Sequence, residues 1–135
     1  MTEKTRIRVG WLLTGLFALF MLLASVTPKL LQLDVAREAI AVPGWDGRHL
    51  LLIGIIELAC LALYLFPRTS LLGAVLMMGL LGGAIASHLR VGSPLASHTL
   101  FGSYLAAFMW GGLWLRDPAL RALFPWRAAP TGDAR

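Results

Sequence analysis

The stretch His49-Leu-Leu-Leu-Ile-Gly-Ile-Ile-Glu57-Leu-Ala-Cys-Leu-Ala-Leu-Tyr-Leu-Phe66, closed by Pro67-Arg68, decides how this chain is read. A helix needs ~17–25 mostly apolar residues to cross a ~30 Å hydrocarbon core, and this stretch supplies them. Yet Glu57 stands near its middle. A carboxyl group at that depth costs at least ~2.5–3.5 kcal/mol on insertion scales, so Glu57 must face protein or water rather than lipid. At 3.6 residues per turn it shares a helix face with Leu50, Ile53, Gly54, Cys60, Leu61 and Tyr64. Gly54, one turn away, leaves room beside the carboxyl for a partner side chain, a water or a ligand. Counting ~1.5 Å per residue, Glu57 lies about 12 Å below His49.

An isolated carboxyl in such surroundings is expected to be protonated and to donate a hydrogen bond. Two roles then stand side by side. Glu57 handles a proton or anchors the polar group of an apolar ligand, or it makes a structural hydrogen bond to Thr14 or Ser103 on a neighbouring helix.

Working outward, the composition sets the class. The 135 residues are 58% hydrophobic and 14% charged, with mean hydropathy +0.74, against roughly 25% charged in a soluble domain. That is the profile of a single integral membrane domain. The net charge of +5 does not point to nucleic acid, because the basic residues sit at the ends of apolar runs, where topology places them. The lone Cys60 excludes an intrachain disulfide and a CxxC pair, so any thiol chemistry would need a thiol-redox partner protein.

Four apolar segments follow, at about 9–26, 49–66, 70–89 and 99–115. In lipid their backbone polar groups must be satisfied within each segment, which makes them helices. The expected fold is an all-α four-helix transmembrane bundle over residues 1–127, with a short helical extracytoplasmic connection, a juxtamembrane C-terminal helix and a disordered tail at 128–135. The apolar run after Met1-Thr-Glu-Lys-Thr-Arg-Ile-Arg8 is longer than a signal-peptide core and is read as a retained first helix. Lys4, Arg6, Arg8, Arg68, Arg116, Arg121, Arg127 and Arg135 on one side outnumber Lys29, Arg37, Arg48 and Arg90 on the other. The positive-inside rule therefore puts both termini in the cytoplasm. Trp11, Trp110 and Trp114 fall toward the inner boundary and Trp45 toward the outer one, while Tyr64 reads as a boundary residue near the inner end.

Small residues mark the expected helix contacts: Thr14, Gly15, Ala18 and Ser25 with Trp11 and Leu22 in the first span, Gly79, Gly83 and Ser87 in the third, and Ser103, Ala107 and Gly111 in the fourth. Such stripes suit packing within the chain or, less often, a homodimer seam. Thr27-Pro28-Lys29 has the form of a helix start, predicting a short helix to about Val42 on the outer rim. Its charged residues do not gather on one face. The tail around Leu120, Leu123, Phe124 and Trp126, with Arg116, Arg121 and Arg127, suits a helix lying on anionic headgroups.

All three histidines fall at the outer boundary: His49 opens the second span, His88 closes the third and His98 precedes the fourth, beside Arg48 and Arg90. No helical two-histidine spacing fixes a metal site, so none is assigned. Arg90 is a partner for Asp34 or Glu38 of the outer connection, or reaches Glu57 through water. Gly54, Glu57, Cys60, His49, His88, Arg90 and His98 form the candidate pocket, with Glu57 and His88 as its chemical pair.

Ser25-x-x-Pro28-Lys29-Leu30 after the first span, Gly54-x-x-Glu57-Leu58 within the second, Pro67-Arg68 with Gly73 at the next turn, and Gly82-Gly83-Ala84 leading to His88 together resemble the DoxX-like family of small four-helix bacterial membrane proteins. The resemblance runs from about Val9 to Arg116. It implies a bacterial cytoplasmic membrane location and association with redox or thiol-stress systems, the founding name being that of a thiosulfate:quinone oxidoreductase subunit. With one cysteine and no cofactor motif, the chain departs from anything that would oxidise thiosulfate alone. The expected function is an accessory or scaffold subunit of a redox-associated membrane system. The alternative is a pocket that binds or acts on an apolar small molecule such as a quinone through Glu57 and His88. A small-solute or proton transporter is disfavoured, because four helices and one buried charge leave little for a pathway.

Overall fold

The computed structural model describes residues 1–127, so the tail expected at 128–135 lies outside the described residues. The described residues form helices joined by turns: α1 Glu3–Leu30, α2 Asp34–Ala41, α3 Leu50–Leu65, α4 Ser70–Arg90, α5 Phe101–Arg116 and α6 Pro118–Leu123. Three helical segments, Glu3–Leu30, Gly47–Leu65 and Ser70–Arg90, are long and apolar enough to cross a membrane. The fourth expected span is helix α5, 16 residues long, preceded by a π-helical turn over Leu95–Thr99. It is about 24 Å long at ~1.5 Å per residue.

Helix α1 differs most from expectation. Rather than ending near Val26 ahead of a new helix at Thr27, it runs on through Thr27-Pro28-Lys29 to Leu30. Proline lacks an N–H and its ring crowds the carbonyl four residues back, which ordinarily breaks a helix. Here the turn before it widens into a π-helix over Met21–Val26, in which the Thr27 N–H bonds the Leu22 carbonyl. A π-bulge takes in the extra residue without ending the helix. It also rotates everything after it about the axis, so that Lys29 belongs to α1 and faces α3. The helix stops only at Gln32, whose φ of +52° is left-handed. There the Leu33 N–H caps the Pro28 carbonyl at 3.0 Å.

Helix α2 is more sided than its charges suggested, because Ala36 and Ile40, one turn apart, are buried together with Leu50 of α3. Gly44, at φ +89°, ends the turn after α2, and the Trp45 N–H bonds the Ile40 carbonyl at 2.9 Å. Asp46 then starts the turn into α3 by accepting the Arg48 N–H at 2.9 Å, a bond that holds its carboxyl below the usual range.

Helices α3 and α4 form a tight hairpin, while α5 packs against both α1 and α4. The main core gathers Phe17, Met21, Leu61, Tyr64, Met77 and Met109 among its members. The contact stripes are displaced from those expected. On α1 the buried positions are Gly10, Thr14, Phe17, Ala18, Met21 and Val26, so Thr14 and Ala18 are buried as expected while Gly15 faces open space. On α5 they are Gly102, Met109, Gly112 and Leu113 rather than Ser103, Ala107 and Gly111. A Cβ on Gly10 would lie 2.6 Å from the Arg116 nitrogen, and one on Gly112 would lie 2.9 Å from the Thr14 nitrogen. The two backbones are thus as close as glycine allows, the usual device for joining helices in lipid.

Tyr64 belongs to this packing rather than to a boundary belt. It is fully buried, donates its hydroxyl hydrogen to the Met109 carbonyl at 2.7 Å, and meets the Phe17 ring edge-on at 5.5 Å. A buried tyrosine needs such a partner for its O–H. Arg116 lies across the same end. It donates to the Tyr64 carbonyl at 3.0 Å and to Ser70 Oγ at 3.2 Å, with its guanidinium 4.2 Å from the Trp11 ring centre. Asp117 caps α6 through the Ala119 N–H, and Arg121 of α6 pairs with Glu3. The start of α1 and the end of α5 therefore meet at one end of the molecule, while His49, His88 and His98 mark the other.

Candidate functional site

Glu57 does not stand alone. Lys29 Nζ lies 2.9 Å from Glu57 Oε2, and Ser25 donates its hydroxyl hydrogen to Glu57 Oε1 at 2.7 Å. Lys29 also donates to Ser25 Oγ and to the Ser25 carbonyl, the latter at 3.3 Å. The expected neutral carboxyl bonded to Thr14 or Ser103 is thereby corrected: its partners are Ser25 and Lys29, and it is one half of an ion pair. Thr14 instead approaches Tyr64, at 3.3 Å.

The local sequence explains the encounter. Ser25 and Lys29 are four residues apart, hence on one face of a continuing helix, and the π-turn aims that face at α3. Gly54 lets it come close, because a Cβ there would stand 2.9 Å from Lys29 Cβ. The space foreseen beside Glu57 is therefore filled by a partner side chain. The side chains of Lys29 and Glu57 retain 15% and 8% of their exposure, so the pair is largely withdrawn from solvent. Buried pairs of this kind gain little net stability but are costly to break.

The pair forms part of the wall of a cavity of about 500 Å³. Its sides are the second half of α1, Ile53 and Glu57 of α3, and the second half of α4. Ile40 and Pro43 close it from the α2 side, and Phe101 and Leu105 from α5. Gly79, Gly83 and Ser87, expected to be a helix contact, line this space instead. A Cβ added at Gly79 or Gly83 would meet nothing within 4 Å. Here glycine holds a volume open rather than drawing two helices together.

His88 and His98 complete the lining. Their rings meet edge-on with centres 5.9 Å apart. His88 Nδ1 pairs with Ser93 Oγ at 3.0 Å, and His98 Nδ1 with Ser97 Oγ at 2.8 Å. Trp45 also lines the cavity, its indole N–H bonded to Ser87 Oγ at 3.1 Å. Glu57, His88 and His98 thus surround one space, although no hydrogen bond among the described residues joins the carboxylate to either ring.

The remaining pocket candidates lie elsewhere. Cys60 is in the main core. His49 packs its ring against Trp45, with centres 6.4 Å apart. Arg90 donates to the Pro43 carbonyl at 2.9 Å rather than pairing with Asp34, Glu38 or Glu57. Lys29 and Ser25 are the site residues that sequence reasoning missed. Ser25-x-x-x-Lys29 carries their signal, but Pro28 reads as a helix boundary.

Chemically, the site joins an apolar chamber to a compact charged group at one point on its wall and to two imidazoles at another. That arrangement suits a molecule that is mostly hydrocarbon and carries few polar atoms. Comparison with known proteins gives one finding of kinship: a family model described as the DoxX-like family matches residues 12–112. No curated protein and no solved structure matches the chain.

Proposed function

The chain belongs to the DoxX-like family, and on that footing we propose that it is a four-helix membrane protein whose central cavity binds an apolar small molecule of quinone-like character. Glu57, held by Lys29 and Ser25, is the polar anchor, with His88 and His98 on the facing wall. The bundle lies in the bacterial cytoplasmic membrane with both termini inside, in keeping with its charge distribution and with the Arg121–Glu3 pair that joins α6 to the start of α1. The observation that carries this reading is the cavity of about 500 Å³, with an ion pair on its wall and two glycines kept clear of any neighbour. Its size falls within the range of small-molecule sites.

A second reading, an accessory or scaffold subunit of a redox-associated membrane system, is favoured by one feature. The Glu57–Lys29–Ser25 bonds tie α1 to α3 and satisfy one another internally.

The experiment that separates them is extraction of the apolar molecules that co-purify with the protein from native membranes, identified by mass spectrometry and compared with those from Gly83→Leu. The cavity reading expects a quinone or similar molecule in the wild type and its loss from the variant, with helicity by circular dichroism unchanged. Matching extracts from two folded proteins would remove the ligand and leave the scaffold.

A further inference from the structure

The cavity wall has a hydrogen-bonding sense as well as a shape. From it we infer that the site selects apolar molecules ending in a hydroxyl group, phenols and alcohols, over the same molecules ending in a carbonyl or ether oxygen. The inference rests on the cavity reading and narrows its ligand from a quinone, whose polar ends are carbonyl oxygens, to the hydroxyl-bearing quinol form and other apolar phenols and alcohols.

Donor accounting carries it. An ammonium group has three N–H donors and no acceptor. Those of Lys29 are directed to the Ser25 carbonyl, Ser25 Oγ and Glu57 Oε2. The single hydroxyl hydrogen of Ser25 goes to Glu57 Oε1. Every donor in the cluster is consumed within it. An ionised carboxylate has about four lone-pair sites, and these contacts use one on each oxygen. What Glu57 still offers the cavity is acceptor capacity alone.

Two further donors of the lining are committed as well. Trp45 gives its N–H to Ser87, and Ser87 gives its hydroxyl hydrogen to the Gly83 carbonyl at 2.8 Å. The two imidazoles lie on α4 and on the turn before α5, with their Nδ1 atoms paired to Ser93 and Ser97 rather than to the ion pair, so the acceptor sense belongs to the charged wall on α1 and α3. A ligand oxygen without a hydrogen would meet the carboxylate lone pair to lone pair. A hydroxyl group makes a charge-assisted bond there, worth about tenfold or more in affinity.

The test uses 4-nonylphenol and its methyl ether, 4-nonylanisole, which share a ring and tail and differ in the hydroxyl hydrogen. Equilibrium dialysis against the detergent-solubilised full chain measures both, with Gly83→Leu as the blank for partition into micelles. The phenol is expected to bind at least about tenfold tighter than the ether. In the double variant Lys29→Met/Glu57→Gln, whose amide both donates and accepts, the ratio is expected to fall toward one. Equal binding above the blank, as for an acyl chain that fills the space without a hydrogen bond, would overturn the inference and leave the cavity reading standing. A preference that survives in the folded double variant would overturn it too. If neither compound binds the wild type above the blank, the cavity reading itself fails and the inference falls with it.

Discussion

At the Arg116 end of the molecule, buried polar groups are enclosed by tight packing. Tyr64 is fully buried and bonded to the Met109 carbonyl, Arg116 spans to Tyr64 and Ser70, and Gly10 and Gly112 bring α1 and α5 into backbone contact. At the histidine end the polar group is an ion pair on a cavity wall, and Gly79 and Gly83 have no neighbour within 4 Å of where a Cβ would sit. One residue type thus does opposite work in the two halves. Its effect depends on what faces it, and so does the cost of changing it.

The sharpest way to break this contrast is Lys29→Met. If the ion pair is as withdrawn from water as its exposure implies, leaving Glu57 unpaired destabilises the fold by about 3–5 kcal/mol. Adding Glu57→Leu should restore most of the loss. Unfolding in mixed micelles by titration with sodium dodecyl sulfate measures both. A loss below about 1 kcal/mol would mean that the pair is effectively solvated through the cavity, as surface pairs are.

Next in size is Gly73→Ala in the tightly packed half. A Cβ there would overlap the Tyr64 backbone at the α3–α4 hairpin, and forcing atoms into packed space costs about 1–3 kcal/mol. The same titration reads it, and a stability equal to wild type would show that the hairpin yields freely.

The smallest effect is expected from Gly79→Ala, which places a methyl group in open space. Helix propensity favours alanine by up to about 1 kcal/mol, so stability should stay level or rise slightly. A loss comparable to that of Gly73→Ala would mean that the two glycines face equally crowded surroundings, and the contrast between the halves would collapse.

How far the sequence carried the description varies along the chain. The all-helical class and the α3–α4 hairpin were legible because lipid permits little else: an apolar run must satisfy its own backbone, and Pro67-Arg68 can only turn. Glu57 stood out for the same reason, as a carboxyl group inside an apolar helix. Its partners were hidden by a local rule that tertiary context overrode. Proline at that position reads as the start of a new helix, yet the π-turn over Met21–Val26 carried α1 past Pro28, and with it Lys29 passed from the first turn of a separate rim helix to the face of α1 opposite Glu57.

The small-residue stripes show the same division. Sequence marks where bulk is absent, as at Gly79, Gly83, Gly10 and Gly112, but a missing side chain is equally compatible with contact and with space. Only the placement of α1 against α5, and the gap left between α1 and α4, assigned each glycine its role. By itself the sequence determined a membrane-embedded helical protein of the DoxX-like kind with one costly carboxyl group. The tertiary structure alone decided that this group is half of an ion pair on the wall of a chamber, because partner and chamber are both made by residues distant in the chain.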